Sequence, residues 1–257
     1  MDLELQGRNV VITGGSDGLG LALAELLSTE GANVAICGRD EAKLATAEVK
    51  LADLPGRCLA LRCDVTEPAE LEAFAATATE AFGAIHGLVN NAGRASASTL
   101  EGTSDAQWEE DFALKVMAAV RLTRSLLPAM GEGASIVNVL AISAKAPGAG
   151  TQPTSASRAA GMAITKSLSR ELGPRGIRAN AVLIGLIESG QWRRAAEASG
   201  VALEDFLVQL ASGAQVPLGR VGRAAEFADL VGFLLSPRSS YVSGTAINLD
   251  GGLSPAS

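Results

Sequence analysis

In 257 residues the chain has one histidine, one tyrosine and three cysteines, and aromatics make up only 4%. A single histidine removes the usual zinc site and the Ser-His-Asp triad, both of which need histidines placed by suitable neighbours. His86 stands in FGAIHGLVNNAG at the entrance of a predicted strand, a setting that points to a structural role. Cys37, Cys58 and Cys63 form an odd set without a CxxC pair. The opening MDLELQGRNVVITGG has no cationic stretch leading into an apolar one, so a reducing cytoplasm is the expected compartment. Long apolar runs are missing, and no membrane partner is expected. Basic residues number 21 against 28 acidic, a formal charge of −7, and they are dispersed rather than massed, which argues against a nucleic-acid partner.

What is present is a 47% hydrophobic composition with 29 glycines, enough for one sizeable core. Short β-branched runs alternate with segments of helical period: 9–13 then 19–29, 33–37 then 40–51, 58–62 then 68–82, 87–90 then 105–130, 135–140 then 153–172, 178–183, then 224–235 and 245–249. VVIT, VAIC and SIVNV read as continuous hydrophobics, as strands buried on both faces do. The pattern predicts an α/β fold, a doubly wound parallel sheet of about seven strands with helices on both faces, in one domain over residues 1–257. Residues 188–216 interrupt the alternation as a helical insertion, the candidate substrate lid, since such insertions beyond a strand's carboxyl end cover the ligand crevice.

The first strand run leads through TGGSDGLG, residues 13–20, directly into an apolar helix. Glycines placed there allow a tight turn, a close approach to a pyrophosphate and close helix-on-strand packing, with the helix N-terminus facing the anion. The second strand ends in CGRD. An arginine at that tip, Arg39, with no acid before it favours NADP(H) over NAD(H), because the guanidinium fork suits a 2′-phosphate, while Asp40 weighs the other way.

Together TGGSDGLG, CDVT with Asp64, LVNNAG, RELGPRGIRANAV, IGLIES and SYVSGTAINLDGG resemble the short-chain dehydrogenase/reductase family along essentially the whole chain. The resemblance implies a Rossmann-type sheet and a dinucleotide held by Gly14, Ser16, Gly18, Leu19 and Gly20 at the pyrophosphate. It places Arg39 at the adenosine ribose, Asp64 and Val65 at the adenine, Asn91, Ala92 and Gly93 along the nicotinamide-side ribose, and Ser189 at the nicotinamide end. It also implies a homotetramer or homodimer formed through the long helices around 105–130 and 153–172, and a small-molecule substrate.

At the catalytic positions the chain departs from the family, whose reductases use Asn, Ser, Tyr and Lys. The YxxxK motif appears as TSASR, with Thr154 and Arg158 in place of tyrosine and lysine. Ala141 takes the serine position and Lys115 that of the asparagine. An aliphatic hydroxyl starts far too high in pKa to replace tyrosine alone, and Arg158 can hold ribose or an anion but cannot relay a proton. Lys115 is the remaining titratable group: facing Arg158 in a closed crevice it would titrate low and serve as acid/base or amine nucleophile, or else fill the gap and pair with an acid.

Ser143 and Ser155 are further candidate hydroxyls. Trp192, Arg193 and Arg194 would stack on and pair with an anionic substrate, or form a subunit contact. Trp108, Phe112 and Met117 are expected to be packing residues, and the lone Tyr241 structural. Three functions compete: an oxidoreductase acting on a small hydroxyl or carbonyl compound with its proton routed through Lys115, Thr154 or ordered water; a non-redox enzyme using Lys115, Thr154 and Arg158 for addition, elimination or hydrolysis; and a silent nucleotide-binding protein.

Overall fold

The structure, a computed structural model, describes residues 2–257. The strands are β1 (Asn9–Thr13), β2 (Asn33–Gly38), β3 (Cys58–Arg62), β4 (Gly87–Asn90), β5 (Ala97–Ser98), β6 (Ser135–Ala141), β7 (Gln152–Pro153), β8 (Arg178–Ile184) and β9 (Ala246–Leu249). Seven of them form one parallel sheet in the order β3-β2-β1-β4-β6-β8-β9. The α-helices are α1 (Gly18–Thr29), α2 (Glu41–Ala52), α3 (Pro68–Phe82), α4 (Asp105–Phe112), α5 (Ala118–Leu126), α6 (Thr154–Leu172), α7 (Gly190–Ser199), α8 (Leu203–Gly213) and α9 (Ala224–Leu235). Among the described residues no helix is long and apolar enough to cross a membrane.

The strand alternation assigns each side chain to a face. Val10 and Ile12 pack with Leu23 and Leu27 of α1, Leu44 of α2 and Phe227 and Val231 of α9. Val11, between them, points the other way, into a second core with Leu71 and Phe74 of α3, Leu122 and Leu126 of α5 and Leu172 of α6. Both faces of the central strands are thus dry, which is why the sequence shows unbroken apolar runs there.

The strand order reverses between β1 and β4, and an open parallel sheet has its crevice at that point, beyond the carboxyl ends of the strands. Side chains tie the two tips together. Thr13 Oγ1 accepts from the backbone N–H of Asn91 and of Ala92, both at 3.0 Å, and Asn91 Nδ2 donates to the carbonyls of Thr13 (2.9 Å) and Gly14 (3.1 Å). His86 sits below, its Nδ1 accepting from the Asn9 N–H at 3.0 Å, the structural part its strand-entrance position indicated.

Two features differ from the expected pattern. The long helix expected over 105–130 is divided: one turn of π-helix, Ala113–Met117, separates α4 from α5, and a 3-10 turn at Leu127–Ala129 ends the run. Of its proposed packing residues, Trp108 and Phe112 do meet, their rings tilted at 31° with centroids 6.2 Å apart, but Met117, at the end of the π turn, is 40% exposed and is not a packing residue. The second feature is the short antiparallel pairing of β5 with β7, which carries the loop after β4 across the N-terminus of α6.

Candidate active site

A cleft of about 560 Å³ opens at the switch point. At one end it is bounded by the glycine loop (Gly14, Ser16, Asp17, Gly18, Leu19) and by Arg39, Asp64 and Val65. Its middle is formed by Asn91, Ala92 and Gly93, and its far end by Ala141, Thr154, Arg158 and Ser189 with Trp192 and Arg194 of α7. Every residue singled out in the sequence for cofactor contact lines this cleft except Gly20. A Cβ at Gly20 would lie 2.2 Å from the Gly14 carbonyl oxygen and 2.7 Å from Asn91 Nδ2, so this glycine lets α1 lie on the strand tips.

At the adenosine-side end, Asp40 caps α2 by accepting from the Lys43 N–H at 3.1 Å, while Arg39 is 64% exposed and reaches Asp64 at 3.7 Å. Burial pushes the Asp64 carboxyl up, but the hydrogen bonds from Thr66 N and Oγ1 and the Arg39 charge outweigh it and hold the group below its ordinary range. Asp17 caps α1 through Gly18 N and binds Lys43 at 2.6 Å. A charged lysine therefore lies beside the acid that shares the helix N-terminus with any bound phosphate.

At the opposite end the chemistry is concentrated. Lys115 and Asp111 form an ion pair whose side chains are 0% and 1% exposed. Lys115 Nζ also donates to Thr154 Oγ1 at 2.8 Å, and the Ser96 N–H donates to the same oxygen at 3.1 Å. Ser157 Oγ donates to the other oxygen of Asp111 at 2.6 Å. Arg158 Nη1 donates to the Val139 carbonyl at 2.8 Å, and among the described residues its buried Nε has no partner. Gly93 makes room for this guanidinium, since a Cβ there would stand 2.6 Å from Arg158 Nη2.

Burial pushes the Lys115 ammonium down to about 8. The bond to Asp111 opposes the shift, and the charges of Arg158 and Arg94 add to it. Burial also lowers Arg158, to about 10, so it stays charged at neutral pH.

Lys115, Thr154 and Arg158, chosen from the sequence, are brought together; Ala141 lies on the same wall. Ser143 sits on a 3-10 turn outside the cleft wall, Ser155 is buried with no partner for its hydroxyl among the described residues, and Tyr241 is fully exposed. In α7, Trp192 and Arg194 face the cleft, while Arg193 pairs with Glu188 at 3.6 Å. Sequence inspection missed Asp111, Ser157 and the Ser96 N–H. An acid four residues before a lysine looks like an ordinary surface helix pair, and only the fold shows that it is buried.

A family model described as enoyl-(acyl carrier protein) reductase matches residues 14–254. The chain belongs to the short-chain dehydrogenase/reductase family. Among members of that family it is 32% identical over 253 residues to the 3-oxoacyl-(acyl-carrier-protein) reductase FabG of Vibrio cholerae, a match covering 98% of this chain and 99% of the relative. An NADPH-bound short chain oxidoreductase from Pseudomonas aeruginosa PAO1, described as containing an atypical catalytic center, superposes with a TM-score of 0.92 at 40% identity, covering 97% of this chain and 98% of the other. L-sorbose reductase from Gluconobacter frateurii, in complex with NADPH and L-sorbose, superposes with a TM-score of 0.94 at 32% identity over the whole of both chains. These short-chain dehydrogenase/reductase relatives are oxidoreductases.

Proposed function

We propose that the protein is an NADP(H)-preferring oxidoreductase acting on a small carbonyl or hydroxyl compound, in which Thr154 and Lys115 take the place of the family's tyrosine-based proton route. The observation that carries this reading is the hydrogen-bond direction at Thr154. Lys115 Nζ and the Ser96 N–H are both donors to Oγ1, so both acceptor positions of the hydroxyl are filled and its own proton is free for an oxygen in the cleft.

Residues of the glycine loop, Arg39, Asn91 and Arg158 would hold the dinucleotide, and the unpartnered Nε of Arg158 and the volume of the cleft suit such a ligand. When bound, the reduced nicotinamide supplies a hydride to the substrate carbonyl carbon. The oxygen then becomes an alkoxide, a far stronger base than a lysine amine. Thr154 gives it a proton as Lys115 replaces that proton on Oγ1, so the threonine never has to exist as a free alkoxide. Arg158 stays charged beside the site and favours the developing anion. With Ala141 in the wall instead of a hydroxyl, this cation and the Thr154 hydroxyl are the groups left to polarise the carbonyl.

Preference for NADP(H) is supported by the engagement of Asp40 as a helix cap, which leaves Arg39 to meet a 2′-phosphate. The insertion over 188–216 fits a lid on the single domain, since Trp192 and Arg194 of α7 face the cleft mouth. Calorimetric titration should give tighter binding of NADPH than of NADH, abolished by Gly18→Trp. In a screen of carbonyl compounds with NADPH, Lys115→Met should lower kcat by about 10²–10⁴-fold while NADPH still binds. Substrate turnover with the cofactor's redox state unchanged would point instead to non-redox chemistry on the same cluster.

A further inference from the structure

Glu110 and Asp111 are adjacent acids at the end of α4, and the helix sends them in opposite directions. Glu110 turns outward to Arg94 at 2.5 Å, both about half exposed, whereas Asp111 turns inward and is buried with Lys115. Both Asp111 oxygens are engaged, one by Lys115 Nζ and the other by Ser157 Oγ of α6 at 2.6 Å. Lys115 in turn reaches Thr154, the first residue of α6, at 2.8 Å. The carboxylate is therefore one side chain removed from the cleft and touches nothing in it.

A buried ion pair is poor evidence for stability, because apolar residues of similar volume usually serve a core as well. This pair has a third member that is not core: the hydroxyl on which the lysine rests lines the cleft. A lysine buried beneath that hydroxyl without an anion would shed its proton to escape desolvation, and the other charges facing it, Arg158 from α6 and Arg94 from the loop after β4, are of its own sign. Among the described residues, Asp111 is the one opposite charge placed against it.

We propose that Asp111 is the positioning residue of the site: its carboxylate, itself fixed by Ser157, holds the Lys115 amine on the Thr154 hydroxyl and keeps that amine protonated for donation. The proposal rests on the proton route through Thr154 and Lys115, and extends it to a residue that does not touch the substrate.

The test follows the Lys115 side chain by NMR of ¹³C-lysine-labelled protein with NADPH bound, assigned by its loss in Lys115→Met. The same preparations are assayed for the pH dependence of carbonyl reduction. Asp111→Asn and Asp111→Leu should each lower the lysine titration midpoint by at least one pH unit, move the high-pH limb of kcat down by the same amount and leave NADPH affinity within about twofold. Asp111→Glu should recover most of both shifts. The leucine variant guards against an asparagine variant that folds poorly, since a neutral lysine beside an apolar residue costs less than an unpaired ammonium. An unchanged lysine midpoint in both variants overturns the proposal. A midpoint that moves while the limb of kcat stays in place overturns the proton route beneath it, leaving Asp111 in control of a lysine that does no chemistry.

Discussion

At Thr154 the proposed route turns on the difference between an alcohol and a phenol. A lone threonine hydroxyl cannot act as an acid near neutrality, so in the proposed route the lysine behind it would carry the titration, and burial pushes that lysine down to about 8. The sign follows directly. If reduction draws its proton from Lys115 as proposed, kcat for carbonyl reduction should be flat below pH 7 and fall as pH rises through about 8, whereas the reverse oxidation should gain over the same interval; stopped-flow rates across pH 6–10 would show it. Removing the hydroxyl with Thr154→Val should cost about 10²-fold or more in kcat, while Thr154→Ser, which keeps an oxygen within reach of Lys115 Nζ, should retain most activity. Equal losses in the two variants would mean that the hydroxyl is not the donor. At this scale the sequence was a partial guide. Lys115, Thr154 and Arg158 stood out because each falls where the family resemblance leads one to expect a residue of recognisable chemistry, but Asp111 carries no local mark separating a buried acid from the exposed Glu110 beside it.

Along the elements, the strands and helices were legible because a parallel sheet buried on both faces leaves continuous apolar runs, and β1, β3, β4, α3 and α9 begin and end where the pattern does. What was not legible is short or irregular. β5 and β7 pair over two residues each, too few for any period, and the π turn at Ala113–Met117 lies inside a run whose composition is helical throughout. These two irregularities build the candidate site. The π turn carries Lys115, and the β5–β7 pairing holds the loop from which Ser96 reaches Thr154. The start of α4 has the opposite character, with a regular capping box in which Ser104 Oγ accepts from Gln107 N and Gln107 Oε1 accepts from Ser104 N. Ser104→Ala should therefore cost about 1 kcal/mol and lower Tm by about 2–4 °C in calorimetry, with kcat unchanged because the cap lies two turns from Asp111. A loss of activity at unaltered Tm would show that the placement of α4 is more finely set than its cap energy suggests.

Over the whole molecule, a chain of formal charge −7 has to hold a dinucleotide that is itself strongly anionic, so local cations must overcome the repulsion of the rest. They are arranged in two kinds. Arg158 is partly buried on the cleft wall, where salt screens it less, whereas Arg39, 64% exposed at the tip of β2, works in water, where a Debye length of about 10 Å at 0.1 M salt limits its reach. Under the proposed preference, only the exposed one would meet the 2′-phosphate that distinguishes NADPH from NADH. Salt should consequently act on the two cofactors unequally: raising ionic strength from about 0.05 to 0.5 M should weaken NADPH binding several-fold more than NADH binding, narrowing a preference of about tenfold, the value expected for one charge-assisted contact. In Arg39→Ala the two salt dependences should coincide and the preference should vanish, with NADH affinity nearly unchanged. Parallel salt slopes in the unsubstituted protein would place the discrimination elsewhere in the cleft, with Lys43 beside Asp17 as the next cation to replace.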